Sequence, residues 1–392
     1  MRISLIDGLR GYFLVMMTVT HISFEIDAIA GKLSHHRFGW VEDAQGFVFL
    51  SGLVIGIVYG KRLIRQSRGA MLRGLMTRAR TIYIYHALLM AVVTMGVMLL
   101  YPRPADLNPE WSDAPLLYSF FGFLLISAPR YLDILPMYAI LVALTPIVLI
   151  QLRKERYALV MVTSFAVWAL AQTGLPTHLL QAIGEATGLD AKNIHLGLYF
   201  NRFAWQILYV GGLVAGMLMA QEKLSLDFLR RDDYRAIFLI CLALTAAFAM
   251  TAIRLRYFNA VPRTGFFGEL SYNRNHLSAL RLLNFIADLY VVAWLLIVGR
   301  TDRNPILRGA AHAMHALASF RPLVFIGQHS LQVFAFHVLL AYAAMFLSLS
   351  EAPRLLRELV VLASPVCLLL PAYLHARYRD RSQRLRLSGA KP

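Results

Sequence analysis

Long stretches that carry no charged side chain constrain this chain more than any motif in it. Residues 44–60, 81–102, 236–253 and 322–350 contain no Asp, Glu, Lys or Arg, and each reaches the roughly 17 residues at which a helix begins to span a bilayer. A backbone in hydrocarbon must satisfy its N–H and C=O groups within the segment, so each stretch is read as a helix. Composition agrees: 58% of the 392 residues are hydrophobic and 16% are charged, against about 25% charged in soluble domains. These features exclude a soluble enzyme, a disordered chain and an outer-membrane barrel, whose strands would alternate every second residue.

Ten spans are expected, near 8–29, 43–62, 80–101, 131–151, 157–175, 202–221, 235–253, 280–299, 321–348 and 356–376. The fold class is therefore all-α, a polytopic membrane helix bundle forming one integral-membrane domain over 1–392. The apolar segment 114–129 is short, rich in Phe and Tyr, and followed by Arg130 and Asp133, which reads as interfacial or re-entrant. With the N-terminus inside, Lys and Arg are about twice as frequent in the cytoplasmic segments as outside, so both termini are expected in the cytoplasm. An eleventh span would carry the basic tail, about 377–392, to the wrong side. The first span reads as a membrane anchor of a multi-pass inner-membrane protein rather than a signal peptide, because polar groups lie within it and no small-residue cleavage site follows. The formal charge of +17 sits in short basic runs between apolar segments, a pattern of orientation and lipid contact rather than of nucleic-acid binding. Cys241 and Cys367 both lie in apolar segments and read as small packing residues.

Polar residues at membrane depth are expensive unless they face a partner or a water-filled cavity. Span 1 holds the sharpest set. Arg10 and His21 are eleven residues apart, which at about 100° and 1.5 Å per residue puts them on one helix face with His21 roughly 16 Å deeper. Glu25, four residues on, reaches the same face. This arrangement gives a histidine base, a carboxylate to orient it, and an arginine to hold an anion; a buried histidine satisfied by Thr18 or a carbonyl is the simpler alternative. Asp43, at the outer start of span 2, is a second carboxylate for His21. Gly52, Gly56 and Gly60 form a flat strip that suits close helix packing. In the basic run from Lys61 to Arg80, most members read as headgroup contacts, while Arg62 and Arg80 are candidates for a phosphate-bearing donor. Span 9 carries Gln328, His329, Ser330 and His337, too many polar groups to face lipid. With Asp133, Tyr138, Trp205, Gln206, Asn284 and Asp288 they imply a wet path that would take an acceptor. The outer loop 254–276 interleaves aromatic and hydrogen-bonding residues in a manner suited to a carbohydrate. No phosphate-binding, nucleophile-elbow or zinc motif is present, and His312 and His315 lack a nearby ligand partner in sequence, so no metal site is expected.

The opening G-L-R-G, with histidine eleven residues after Arg10, resembles the arginine-x10-histidine motif of the integral-membrane acyltransferase family three. F-V-F-L-S-G at 47–52 and G-x-x-S-x-x-x-F-x-x-H from Gly327 to His337 are similar to that family's other signatures. Closer still, Asp43-Ala44 before F-V-F-L-S-G, L-D-I-L-P-M-Y at 132–138, F-N-R-F-A-W-Q at 200–206 and G-Q-H-S-L-Q-V-F from 327 resemble the OpgC family, implicated in succinylating osmoregulated periplasmic glucans. The resemblance spans nearly the whole chain. It implies ten helices, an acyl-CoA donor, succinyl-CoA, arriving from the cytoplasm, and a periplasmic glucan hydroxyl as acceptor. It places Arg10, His21, Asp43, Ser51 and Gly52 at motif positions, with Ser51 and Gly52 on the donor side. Glu25 is outside the pattern, and its role rests on helix geometry alone. The rivals are a transporter that passes an anion or glucan without acyl chemistry, and a structural scaffold of a glucan-synthesis assembly.

Overall fold

The computed structural model describes residues 4–35, 38–99, 114–189, 196–258 and 273–387. The centre of the aromatic loop at 259–272, residues 190–195, the end of span 3 at 100–101 and the last residues of the basic tail lie outside them. Among the described residues the chain is helical, with no strand. The first helices are α1 (Ser4–Glu25), α2 (Asp43–Arg65), α3 (Arg68–Leu99), α4 (Pro115–Phe123), α5 (Ile134–Arg153), α6 (Tyr157–Gln172), α7 (Leu175–Ala186) and α8 (Arg202–Ala220). They are followed by α9 (Asp232–Phe258), α10 (Ala279–Ile297), α11 (Pro305–Ser319), α12 (Arg321–Gln328), α13 (Ser330–Phe346), α14 (Arg354–Cys367) and α15 (Leu369–Leu387).

Among the described residues seven helical segments are long and apolar enough to cross a membrane, or up to nine if two bent pairs each count as one span. The protein is thus a membrane protein that is helical throughout its described regular elements. Helix α1, at 22 residues, is long enough but is not among these segments; Asp7, Arg10, His21 and Glu25 dilute its apolar character. The nine residues of α4 rise only about 14 Å, too short to cross alone. One expected span, 157–175, ends at a bend, and another, 321–348, is broken within its length. Helices α6 and α7 meet at 53°, at Gly174 with φ +74°, a backbone that glycine adopts without strain. Helices α12 and α13 meet at 93°, so the expected continuous helix over 321–348 is corrected to a bent pair. The break falls at His329, in the polar stretch Gln328–His329–Ser330. Non-helical backbone at membrane depth is tolerated where protein buries it, and His329 is only 2% exposed.

The chain is interleaved between two compact units, one formed by 1–47, 232–242 and 288–392 and the other by 48–231 and 243–287. In the second unit the loops sort to two ends. At one, Lys223 donates to Glu155 at 2.5 Å, Tyr157 donates to Gln221, and Arg65 lies 3.9 Å from Glu222. The Lys223 hydrogen bond holds the Glu155 carboxyl below its ordinary range. At the other, Asp133 accepts from the Phe200 amide at 3.2 Å, Trp205 donates to the Asn275 carbonyl at 3.1 Å, and Gln172 donates to the His276 carbonyl at 2.7 Å. These groupings match an alternating layout, since residues 65, 155 and 222 share one end and 133, 172, 200 and 275 the other. The first unit sorts likewise. Glu358 accepts from the amides of Ile29 and Ala30 at 2.7 and 2.9 Å, and Arg357 donates to the carbonyls of Ile26 and Asp27 at 3.0 and 3.1 Å, tying the start of α14 to the end of α1.

Close helix contact explains the glycine strip. A Cβ at Gly52 would stand 2.1 Å from the Tyr209 carbonyl oxygen, and one at Gly56 2.5 Å from that of Leu213, so α2 and α8 pack backbone against backbone. Replacing Gly52 by Ala is expected to destabilise the protein by about 1–3 kcal/mol through overpacking. Gly69→Ala is the control: its Cβ meets nothing closer than 3.5 Å, and alanine's better helix propensity makes it neutral or stabilising. Thermal unfolding in detergent checks the pair, and equal midpoints would contradict the packing role.

Candidate functional site

The polar face of α1 is turned toward protein, and glycines bring its neighbours close. A Cβ at Gly8 would lie 1.7 Å from the Ala318 carbonyl oxygen, one at Gly11 1.9 Å from that of Leu323, and one at Gly327 1.8 Å from that of Asp7. The G-L-R-G motif therefore lets the end of α11 and the start of α12 lie on α1 either side of Arg10. Arg10 is 9% exposed; its guanidinium donates to Ser330 Oγ, sits 5.7 Å from the centre of the Phe47 ring and 3.9 Å from Asp7. Phe47 in turn stacks on Phe334, with ring centres 6.3 Å apart.

Three turns further along the same face, His21 meets His337. The His21 Nδ1 atom is 3.1 Å from His337 Nε2. His337 is fully buried, and its Nδ1 is 2.6 Å from the Phe334 carbonyl oxygen. Arg10 and His21 thus reach Ser330 and His337 on one partner helix, α13, as the shared-face geometry predicts. The eleven-residue step on α1 is about 16 Å and the seven-residue step on α13 about 10 Å; the extended arginine arm spans the difference.

The carboxylates stand differently. Glu25 is buried one turn beyond His21. Asp43 is also buried, and its Oδ1 lies 3.6 Å from His35 Nε2, while Tyr12 Oη is 3.2 Å from His35 Nδ1. The histidine paired with Asp43 is therefore His35, which sequence reading did not single out; it sits in an irregular connector where no periodicity marks it. His329, at the right-angle break, is 2.7 Å from His375 on α15 through the two Nδ1 atoms and packs against Phe325. Gln328 and Asp288 are half-buried and Asn284 buried.

In the second unit, the residues expected to line a path are drawn into packing. Gln206 accepts from Ser164 Oγ and donates to the Ser164 carbonyl, both at 2.7 Å, which clasps α8 to α6. Trp205 is 1% exposed and lies against Phe200, with ring centres 4.4 Å apart. Tyr138 is buried edge-on to Tyr209 at 6.3 Å. Of the residues expected on the donor side, Ser51 is buried, Gly52 faces Tyr209 as described, Arg62 lies over the Tyr59 ring at 5.2 Å, and Arg80 is exposed. A different arginine of the same run stands out. Arg78 is half-buried, with the phenols of Tyr59, Tyr209, Tyr138 and Tyr85 in electrostatic reach, and among the described residues no carboxylate pairs with it. Its spacing from Arg80 carried no signal, because the tyrosines come from α2, α3, α5 and α8. Among the described residues no group of three or more His, Cys, Asp or Glu is arranged to hold a metal ion.

A membrane bundle in which one helix presents a buried arginine and a paired histidine along one face is the class that the structure defines. A family model described as OpgC protein matches residues 2–381, and the chain belongs to that family. No curated protein and no solved structure matches the chain. Membership supports a role in glucan modification and a transferase activity.

The Ser164–Gln206 clasp predicts a double-mutant result. Gln206→Leu leaves the Ser164 hydroxyl buried without its acceptor and is expected to cost about 1–3 kcal/mol. Adding Ser164→Ala removes that orphan and restores part of the loss. Thermal unfolding of the two single variants and the double variant measures the coupling; strictly additive losses would mean the clasp is not formed.

Proposed function

We propose that this protein is a transmembrane O-acyltransferase of the bacterial inner membrane, moving a succinyl group from cytoplasmic succinyl-CoA to glucose hydroxyls of periplasmic glucans. The observation that carries the reading is the single face of α1 on which a buried arginine and a hydrogen-bonded histidine are both held by α13. In the proposed reaction His21 takes the proton of a glucosyl hydroxyl while the oxygen attacks the thioester carbonyl. The tetrahedral intermediate then collapses, the C–S bond breaks, and the leaving sulfur takes the proton from His21. The products are an ester and free CoA. A positioned base of this kind contributes about 10²- to 10⁴-fold. Arg10 offers a cation for the free carboxylate of the succinyl group, since guanidinium binds carboxylates through paired hydrogen bonds.

The test uses purified protein in detergent with succinyl-CoA and glucan. Wild-type protein is expected to release free thiol, and His21→Ala to lower that release by at least about 10²-fold with an unchanged thermal midpoint. A transporter would show counterflow in vesicles without thiol release, and undiminished turnover in His21→Ala would refute the assigned base.

A further inference from the structure

His337 is held by a contact that permits one tautomer, and the consequence falls on His21. A carbonyl oxygen only accepts, so the 2.6 Å contact with Phe334 puts the proton of neutral His337 on Nδ1. Its Nε2 is then an acceptor, and the 3.1 Å contact makes His21 the donor, from Nδ1. A neutral imidazole has one N–H, so the lone pair of His21 resides on Nε2.

We infer that His337 is a positioning residue for His21, accepting from its Nδ1 and so fixing the tautomer in which Nε2 takes the acceptor's proton. This rests on the acyl-transfer reading above for its catalytic consequence, though not for the tautomer itself. When His21 becomes imidazolium at Nε2 its Nδ1–H bond to His337 persists and strengthens, because the donor now carries charge. Packing keeps the pair aligned: Phe334 lies edge-on to His337 at 4.7 Å and stacks on Phe47, over which Arg10 sits. The donor-side arginine and the base are therefore fixed by one continuous set of rings. Other charged or titratable groups at this end are Glu25 on α1, Asp27 just beyond it, Arg357 and Glu358 on α14, and His35 and Asp43; substituting His337 leaves all of them in place.

The experiment compares wild type, His21→Ala, His337→Leu and His337→Gln as full-length protein in detergent. Thiol release across pH is one readout; ¹⁵N spectra of histidine-labelled protein, with the His21 signal identified by its loss in His21→Ala, are the other. His337→Leu is expected to lower kcat by about 10²-fold with donor KM within about threefold, and to move the acid limb of its pH–rate profile to lower pH, because the imidazolium loses its acceptor. His337→Gln, whose amide oxygen accepts near the position of Nε2, recovers at least about tenfold of that loss. If His337→Leu does not fold, a His337→Gln protein with wild-type rate, pH limb and ¹⁵N signature supports the inference, and one that loses all three overturns it. The ¹⁵N signature distinguishes the two failures. A wild-type spectrum with the His21 lone pair on Nδ1 overturns the positioning role whatever the turnover, whereas the expected spectrum without any thiol release upholds the tautomer and sinks the acyl-transfer reading.

Discussion

A polar group inside a bilayer has no water to turn to, so each one at depth needs a partner supplied by the protein. That requirement organises this chain more than any pattern of apolar residues does. Helix α1 concentrates the most demanding groups, and its neighbours are shaped around them: α12 and α13 break at a right angle, and glycines on both sides remove the side chains that would hold α12 away from α1. A straight ninth span would present Ser330 and His337 on a single continuous helix beginning at Arg321. Breaking it at His329 starts a fresh helix at Ser330, with Arg10 bonded at its first residue and His21 two turns on.

The membrane class and most helix positions were legible in the sequence because hydrocarbon imposes one local rule, an uninterrupted apolar length, that needs no knowledge of neighbours. Helical periodicity likewise put Arg10 and His21 on one face, since that depends only on the rise and turn of α1. What could not be read is what lies opposite. The partner of His21 comes from a residue 316 positions later, and the pairing of Asp43 with His35 depends on an irregular connector. Both are tertiary facts without a periodic trace. The break at His329 had a partial signal in Gln328–His329–Ser330, which sequence reading took as polar lining of an unbroken helix. Gln206 shows the reverse error of emphasis: a polar residue at depth was assigned to a wet path, when a serine on the neighbouring helix takes up its amide.

A carboxylate is the orienting partner that soluble hydrolases place behind a catalytic histidine, and Glu25 and Asp43 were natural candidates for it here. Dielectric argues for the different partner found at Nδ1. Desolvating a carboxylate costs several kcal/mol even after relaxation, a cost that Asp43 meets beside His35 and that an imidazole at His21 Nδ1 does not incur. A second imidazole, its own N–H bound to a backbone carbonyl, presents a fixed lone pair without a resting charge. On the proposed reading the dyad becomes charged only while His21 holds the acceptor's proton, and that charge arises on His21, which is half-buried, rather than on fully buried His337. For the proposed thioester donor, whose leaving group departs as a thiol and demands less of a catalyst than an amide does, a neutral partner would be sufficient support.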